Sequence, residues 1–390
     1  MNTIRKAWSV LLFPILVSGC EPGNQQAEIK EEITHLQKKH APDKRVALFE
    51  VEWKDGKLTG ETDLPEAHLE LLQRLDEKNI GYKDEIKVLP EPGLGNQTQA
   101  LVTLSVANIR SQPKHSAELA TQALMGTALK VLKKQDSWYL VQTPDKYISW
   151  VDAAGIHLMT ATEMQRWVDV PKLVCTEMIA YVYQDDELNN KVSDITAGNI
   201  LEMLGETPHS YTVMLPDGRK GHMKKTEGVT YENWVRTRLA SDENLIRTAK
   251  DMMGAPYLWG GTSPKGVDCS GFTKTIYFLN GMVIPRDASQ QVNEGEEIDH
   301  RKDWSQLQVG DLLFFGTPAT ESSPERVVHV GMWIGNKSFI HSRGRVRISS
   351  FDPGDENFDE YELNRYLRTK RIRNHASNNI FSVKDLTFLL

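Results

Sequence analysis

The chain has 390 residues, of which 39% are apolar and 25% charged, with a formal net charge of -7. That length asks for more than one domain, and the acidic balance excludes a general basic footprint for nucleic acid. Three cysteines are too few for a scaffold built from disulfides.

In chain order, Arg5 and Lys6 precede the apolar run AWSVLLFPILV (7–17), and the small residues of VSGC lead into Cys20. The run is short for a bilayer span. The arrangement resembles a bacterial lipoprotein signal, in which 1–19 is removed and Cys20 carries a lipid anchor; a plain secretory signal with Cys20 incidental is the alternative. Each buried methylene contributes ~0.8 kcal/mol, so a multiply acylated Cys20 would hold the chain at a membrane of the bacterial cell envelope. If Cys20 is lipidated, Cys175 and Cys269 either form a disulfide or stay free. Cys175 in KLVCTEMIAYVY reads as a small buried hydrophobe.

Residues 20–98 are expected to form a tether and a small α/β segment. Residues 21–40 read as a tether or a frayed helix, and RVALFEVEWKDGKLTGETD (45–63) as two strands about Asp55-Gly56. PEAHLELLQRLDEKN (65–79) reads as a helix whose Leu69, Leu72 and Leu75 share a face, with Leu71 beside it. PEPGLGNQ (90–97) is a linker by composition.

From Ala100 the period shortens to strands. LVTLSVANIR alternates, SQPKHSAELATQALMGT reads as a long connection, and ALKVLKKQDSWYLVQTPDKYISWVDAAGI reads as three strands. The elements NIRSQP, WYLV and YISWV resemble a bacterial SH3-like barrel over 99–160, except that Lys146 stands where such barrels usually carry Gly. Residues 165–240 repeat the style, with a hairpin at Asp217-Gly218, and read as a second SH3-like barrel. SDENLIRTAKDMMG (241–254), capped by Ser241, opens a last domain that runs to 376. Residues 377–390 have no evident place.

The chemistry gathers in APYLWGGTSPKGVDCSGFTKTIYFLNG (255–281). Phe272, Ile276 and Leu279 fall at helical spacing, so Cys269 sits at a helix N-terminus. Free N–H groups and the positive dipole end there favour a thiolate, and the placement is expected to lower the thiol pKa. RVVHVGMWIGNKSFIHSRG (326–344) reads as two strands. A three-residue connection Gly335-Asn336-Lys337 would pair Ile334 with Ser338 and set His341 opposite Gly331, bringing His329 and His341 to one face. A two-residue turn would flip one of them away. One imidazole would take the thiol proton and the other would orient it. A Cys/His metal site is the rival reading, but its short ligand spacings are absent, so neither metal nor cofactor is expected.

GAPYLWGGTSPKGVDCSGF, GDLLFF (310–315), HVGMWIG (329–335) and FIHS (339–342) look like the NlpC-type family of papain-like cysteine peptidases. The resemblance implies a multidomain chain, with an α+β papain-like catalytic domain preceded by two SH3-like β-barrels and a small N-terminal α/β segment. With the barrels included, the chain resembles the γ-D-glutamyl-L-diamino acid endopeptidases, which implies cleavage of peptidoglycan peptides bearing a free N-terminal L-Ala. It implies Cys269 as nucleophile, His329 as base and His341 as third member. The substrate would meet Glu118, Tyr147, Trp259, Asp268, Ser270, Arg286 and Asp287, with acids facing the peptide ammonium. An inert wall-binding scaffold and a papain-like acyltransferase are the other readings, and diaminopimelate or lysine stays open.

Overall fold

The structure, a computed structural model, describes residues 22–388. The expected signal and Cys20 lie outside the described residues. The chain divides into two compact units, one of Leu48–Val88 with the chain up to Pro42, the other of Asp43–Ala47 with the chain from Leu89 onward.

In the first unit Pro22–His40 is a helix rather than a tether. Ile29, Ile33 and Leu36 form an i, i+4, i+7 stripe that is buried, which fixes the helix by packing. Strands Phe49–Lys54 and Lys57–Thr62 pair around Asp55-Gly56. After helix Pro65–Glu77, the strand Lys83–Val88 returns parallel to Lys57–Thr62. The buried stripe of this helix is Ala67, Leu71 and Leu75, while Leu69 is exposed. The expected Leu69 face is therefore corrected by about one helical position.

In the second unit, strands between Gln99 and Met159 form a seven-stranded sheet. Where the sequence predicts a long connection, the structure has the strand Leu119–Leu124, which pairs with Val106–Arg110. The linker is also more than a linker, because Leu94 packs into this sheet's core. Lys146 adopts φ 66, the left-handed conformation that explains a usual glycine there. Its ammonium donates to the carbonyl of Asn378.

A further seven-stranded sheet spans Lys172 to Thr230. Helix Ala161–Asp169, with a Thr160/Glu163 capping box, precedes it, and helix Tyr231–Thr237 follows it. Cys175 is buried in its core, and Cys175 and Cys269 are both free thiols. The disulfide alternative is not realised.

The last domain sets helices Asp242–Asp251 and Cys269–Leu279 against a six-stranded antiparallel sheet. From one edge the strands are Glu296–Asp299, Tyr366–Arg371, Leu312–Thr317, Arg326–Gly335, Ser338–Arg343 and Arg345–Ser350. Leu245, Phe272, Ile276, Val330, Met332 and Ile340 form the core between helices and sheet. The unplaced tail belongs to this fold, since Phe381–Ser382 pairs with Met282–Val283 and Val383 is buried.

Candidate active site

Cys269 is the first residue of its helix, as its sequence context predicts. Asp268 is the N-cap, its side chain accepting from the Gly271 backbone N–H. The thiol lies against the strand Arg326–Gly335, where the backbone N–H of Val330 meets it. The thiol pKa goes the other way from the expectation. Burial is the main cause and the Asp268 charge adds to it, so the thiol is pushed up to about 12 despite Val330, Arg286 and the Ser270 backbone. The helix start is outweighed because the thiol has left water and the largest charge effect on it comes from an acid. The resting nucleophile is therefore a neutral thiol that needs a base.

The histidine pair forms by a route that differs from the expected one. Gly335 pairs with Ser338, so the turn is the two-residue Asn336-Lys337, both residues in the left-handed region at φ 49 and 55. A bulge at Ile334 then restores the register, and Trp333 pairs with Phe339 and Met332 with Ile340. His341 falls opposite Gly331, and His329 Nε2 lies 2.8 Å from His341 Nδ1.

The tautomers follow from the next two contacts. Ser349 donates to the Asp359 carboxylate at 3.0 Å, so its oxygen is free to accept from His341 Nε2, also at 3.0 Å. His341 then carries its proton on Nε2 and accepts from His329 Nε2–H through Nδ1. This leaves the lone pair of His329 on Nδ1, the nitrogen available to a thiol proton. The Arg347 Nε contact to His341 Nε2, at 3.4 Å, is the longer one, and it would require the opposite tautomer. Burial holds the His329 pKa well below the usual imidazole value, with His341, Arg365 and Arg343 adding to the effect. Burial and then Arg347 and Arg343 lower His341 to about 3. Both rings are neutral near pH 7.

Gly331 has a specific reason to lack a side chain. A Cβ there would stand 2.9 Å from Phe339 Cδ2 and 3.2 Å from His341 Cβ. Gly331→Ala is expected to displace His341, lowering kcat by about 10²-fold and stability by about 1–3 kcal/mol. Steady-state kinetics and urea unfolding check this; near-wild-type kcat would show that His341 tolerates the shift.

The residues expected to hold substrate fall into two sets. Asp268, Ser270 and Arg286 are buried and bonded to one another, while Arg286 Nε has no hydrogen-bond partner among the described residues. Arg286 Nη2 donates to Asp268 Oδ2 at 2.6 Å and Nη1 to Ser270 Oγ at 3.0 Å, and Asp268 also accepts from the Gly260 N–H. Arg286 pairs closely with Asp268 and more distantly with Asp287, at 3.8 Å. These bonds give Asp268 and Ser270 a part in the fold, tying the helix start to the Gly260 turn.

The second set is Glu118, Trp259, Tyr147 and Asp287. Trp259 Nε1 donates to Glu118 Oε1 at 2.5 Å, and both side chains are exposed. Gly260 makes this meeting possible. It has φ 80, and a Cβ on it would overlap the Leu119 carbonyl oxygen at 2.1 Å. Tyr147 is buried against Asp287, which accepts its hydroxyl; burial and then that carboxylate raise the phenol's pKa. Asp287 also accepts from Arg45 at 2.7 Å.

Arg45, Tyr257, Ser349, Asp359 and Glu362 were missed by the sequence reading. Tyr257 lies near Cys269 and Asp268; burial raises its phenol first, and ionisation of Cys269 and the Asp268 carboxylate act in the same direction. Among the described residues, His329, His341 and Glu362 bring ligand atoms within 4.8 Å of one another. Arg343 and Arg365, at 3.4 and 3.6 Å from Glu362, set two cations against any metal ion there.

Residues 254–363 match the family model described as the NlpC/P60 family, and 109–156 match the one described as the bacterial dipeptidyl-peptidase SH3 domain. A Bacillus cereus protein named gamma-D-glutamyl-L-lysine dipeptidyl-peptidase is 36% identical over 235 residues, covering 58% of this chain and 67% of its own. Dipeptidyl-peptidase 6 of Lysinibacillus sphaericus is 27% identical, over 65% of this chain and 92% of its own. The crystal structure of an NlpC/P60 family protein from Bacillus cereus superposes with a TM-score of 0.60 and 26% identity, over 70% of this chain and 99% of its own.

Proposed function

Because the chain belongs to the NlpC/P60 family of cysteine peptidases, we propose that it hydrolyses the amide between γ-D-glutamate and a diamino acid in peptidoglycan-derived peptides with a free N-terminal L-Ala. The observation that carries this reading is the neutral Cys269 thiol beside a strand whose His329 is held by His341 at 2.8 Å. The names of its relatives supply the substrate class.

In the proposed reaction His329 Nδ1 takes the thiol proton as the Cys269 sulfur attacks the γ-carbonyl. Backbone N–H groups at the helix start face the developing oxyanion. The C–N bond breaks as the imidazolium gives its proton to the leaving amine, leaving a thioester. Water, deprotonated by His329, then cleaves the thioester and returns the thiol. His341, with Ser349 and Asp359 behind it, keeps the imidazole oriented.

Glu118 and Tyr147 receive the peptide ammonium in this reading, with Asp287 behind Tyr147 and Trp259 as the wall. Asp268, Ser270 and Arg286 border that pocket and hold its shape. The sheet over Lys172–Thr230 is read as a second SH3-like domain. Cys20 is read as a lipid anchor that keeps the enzyme at the cell envelope.

Mass spectrometry of products from L-Ala-γ-D-Glu-diamino acid and its N-acetylated twin tests the function, with Cys269→Ala as control. The free-amine peptide alone is expected to be cut, and only by the intact protein. Equal cleavage of both peptides would remove the ammonium pocket, and cleavage by the Cys269→Ala protein would remove the nucleophile.

A further inference from the structure

An open recess beside His329 is lined by Tyr257, Val328, Ser342, Arg343, Glu362 and Arg365. It shares His329 with the catalytic cluster but none of Glu118, Tyr147 or Trp259. Its polar groups are unusual in having little to bind. Glu362 is 1% exposed, and neither of its carboxylate oxygens has a hydrogen-bond partner. The nearest cations are Arg343 at 3.4 Å and Arg365 at 3.6 Å, and the neutral His329 presents Nε2 at 3.9 Å, all outside good hydrogen-bond range. Among the described residues, Arg343 and Arg365 donate no side-chain hydrogen bond, although Arg343 also stands 3.7 Å from Asp359. Each guanidinium instead lies over the Tyr361 ring, at 4.2 and 4.6 Å from its centroid. A buried carboxylate without a donor is costly, so this arrangement points to a ligand that completes it.

The chemistry of the reaction says which part of the substrate arrives here. His329 must protonate the leaving amine, so the leaving residue lies against His329. The acyl half belongs with Glu118 and Trp259. The leaving residue is a diamino acid, which brings a side-chain ammonium and at least one carboxylate. Lysine offers one carboxylate, whereas diaminopimelate carries a second beside its distal ammonium. Two guanidinium groups with unused donors and one buried acid match the second molecule better than the first.

We propose that this recess holds the leaving residue and selects diaminopimelate over lysine, with Arg343 and Arg365 binding its carboxylates and Glu362 facing its ammonium. The assignment rests on the hydrolase reading above. Substrate carboxylates at the two arginines would also offset the positive field that helps hold His329 neutral, strengthening the base once the right peptide is bound.

The test compares kcat/KM of the intact enzyme on three free-amine peptides. They are L-Ala-γ-D-Glu followed by diaminopimelate, by diaminopimelate amidated at its distal carboxylate, or by lysine. The first is expected to be cut at least about 10-fold better than either other, mainly through a lower KM, the loss of one charged pairing. Arg365→Gln is expected to bring the ratios toward unity. Equal rates on all three peptides, or a preference for lysine, would overturn the recess assignment while leaving the hydrolase reading intact. A parallel fall on every peptide in Arg365→Gln, with the ratios kept, would mark the arginine as structural and likewise overturn it. Cleavage of none by the wild-type enzyme would overturn both readings.

Discussion

His329→Ala is expected to lower kcat at pH 8 by about 10⁴-fold and to make the remaining rate rise about tenfold per pH unit. The reason is the state of the nucleophile. Burial and the Asp268 charge push Cys269 up to about 12, so a thiol left without its base is ionised only to about one part in 10⁴ at pH 8. The wild-type enzyme does not depend on that fraction, because His329 takes the proton during attack. Its kcat is expected to stay nearly flat from pH 8 down into mildly acidic solution, because His329 is held well below 6.5 and remains a competent base there. Rate profiles of the two proteins between pH 5 and 10 decide the matter. A His329→Ala profile that is flat, or a rate within about tenfold of wild type, would mean that Cys269 rests as a thiolate.

Acid is expected to unfold the protein through the same pair. His329 and His341 are both depressed in the folded state, chiefly by burial. The unfolded chain therefore binds more protons once the pH drops below about 6.5. The stability associated with the two neutral rings is fully present above that value and is lost as pH falls toward the folded value of His341, about 3. Each group gives a slope of about 1.4 kcal/mol per pH unit, so the pair gives about 2–3 kcal/mol per unit between pH 6 and 4.5. Urea unfolding at several pH values measures the slope. His341→Asn is expected to reduce it by about half, and carboxylates common to both proteins cancel in the comparison. An unchanged slope would mean that the rings are protonated in the folded protein.

The parts of the site that could be read from sequence are those with a local signature. The Cys269 helix carries a capping Asp268 and an apolar stripe at Phe272, Ile276 and Leu279, and the helix forms there. The two histidines lie on neighbouring apolar strands of one hairpin, and the turn together with the Ile334 bulge puts them on one face. The parts that could not be read depend on what the chain brings together from far away. Ser349 and Asp359 stand behind His341, and nothing around either in the sequence marks them. Glu362, Arg343 and Arg365 are ordinary charged residues until the short helix Glu360–Arg365 packs beside His329. The thiol pKa departs from the sequence expectation for the same reason, since the helix start is a local feature while burial and its consequence are tertiary. Leu69 shows the limit of periodicity, because an apolar residue one step off the stripe faces solvent.

The hairpin between the histidines has a consequence for recognising such sites. Its tip contains a tight turn, and Ile334 is an extra residue absorbed by the bulge. A hairpin with the same turn and no bulge would reach the same pairing of Gly331 with His341 using one residue fewer. A wider tip without the bulge would reach it with the number present here. The interval between base and orienter along the chain is thus not a fixed quantity of the chemistry. What is fixed is the parity of the ladder after turn and bulge are both counted. A search that demands one spacing would pass over chains that build the same pair, and a search that tracks facing would find them.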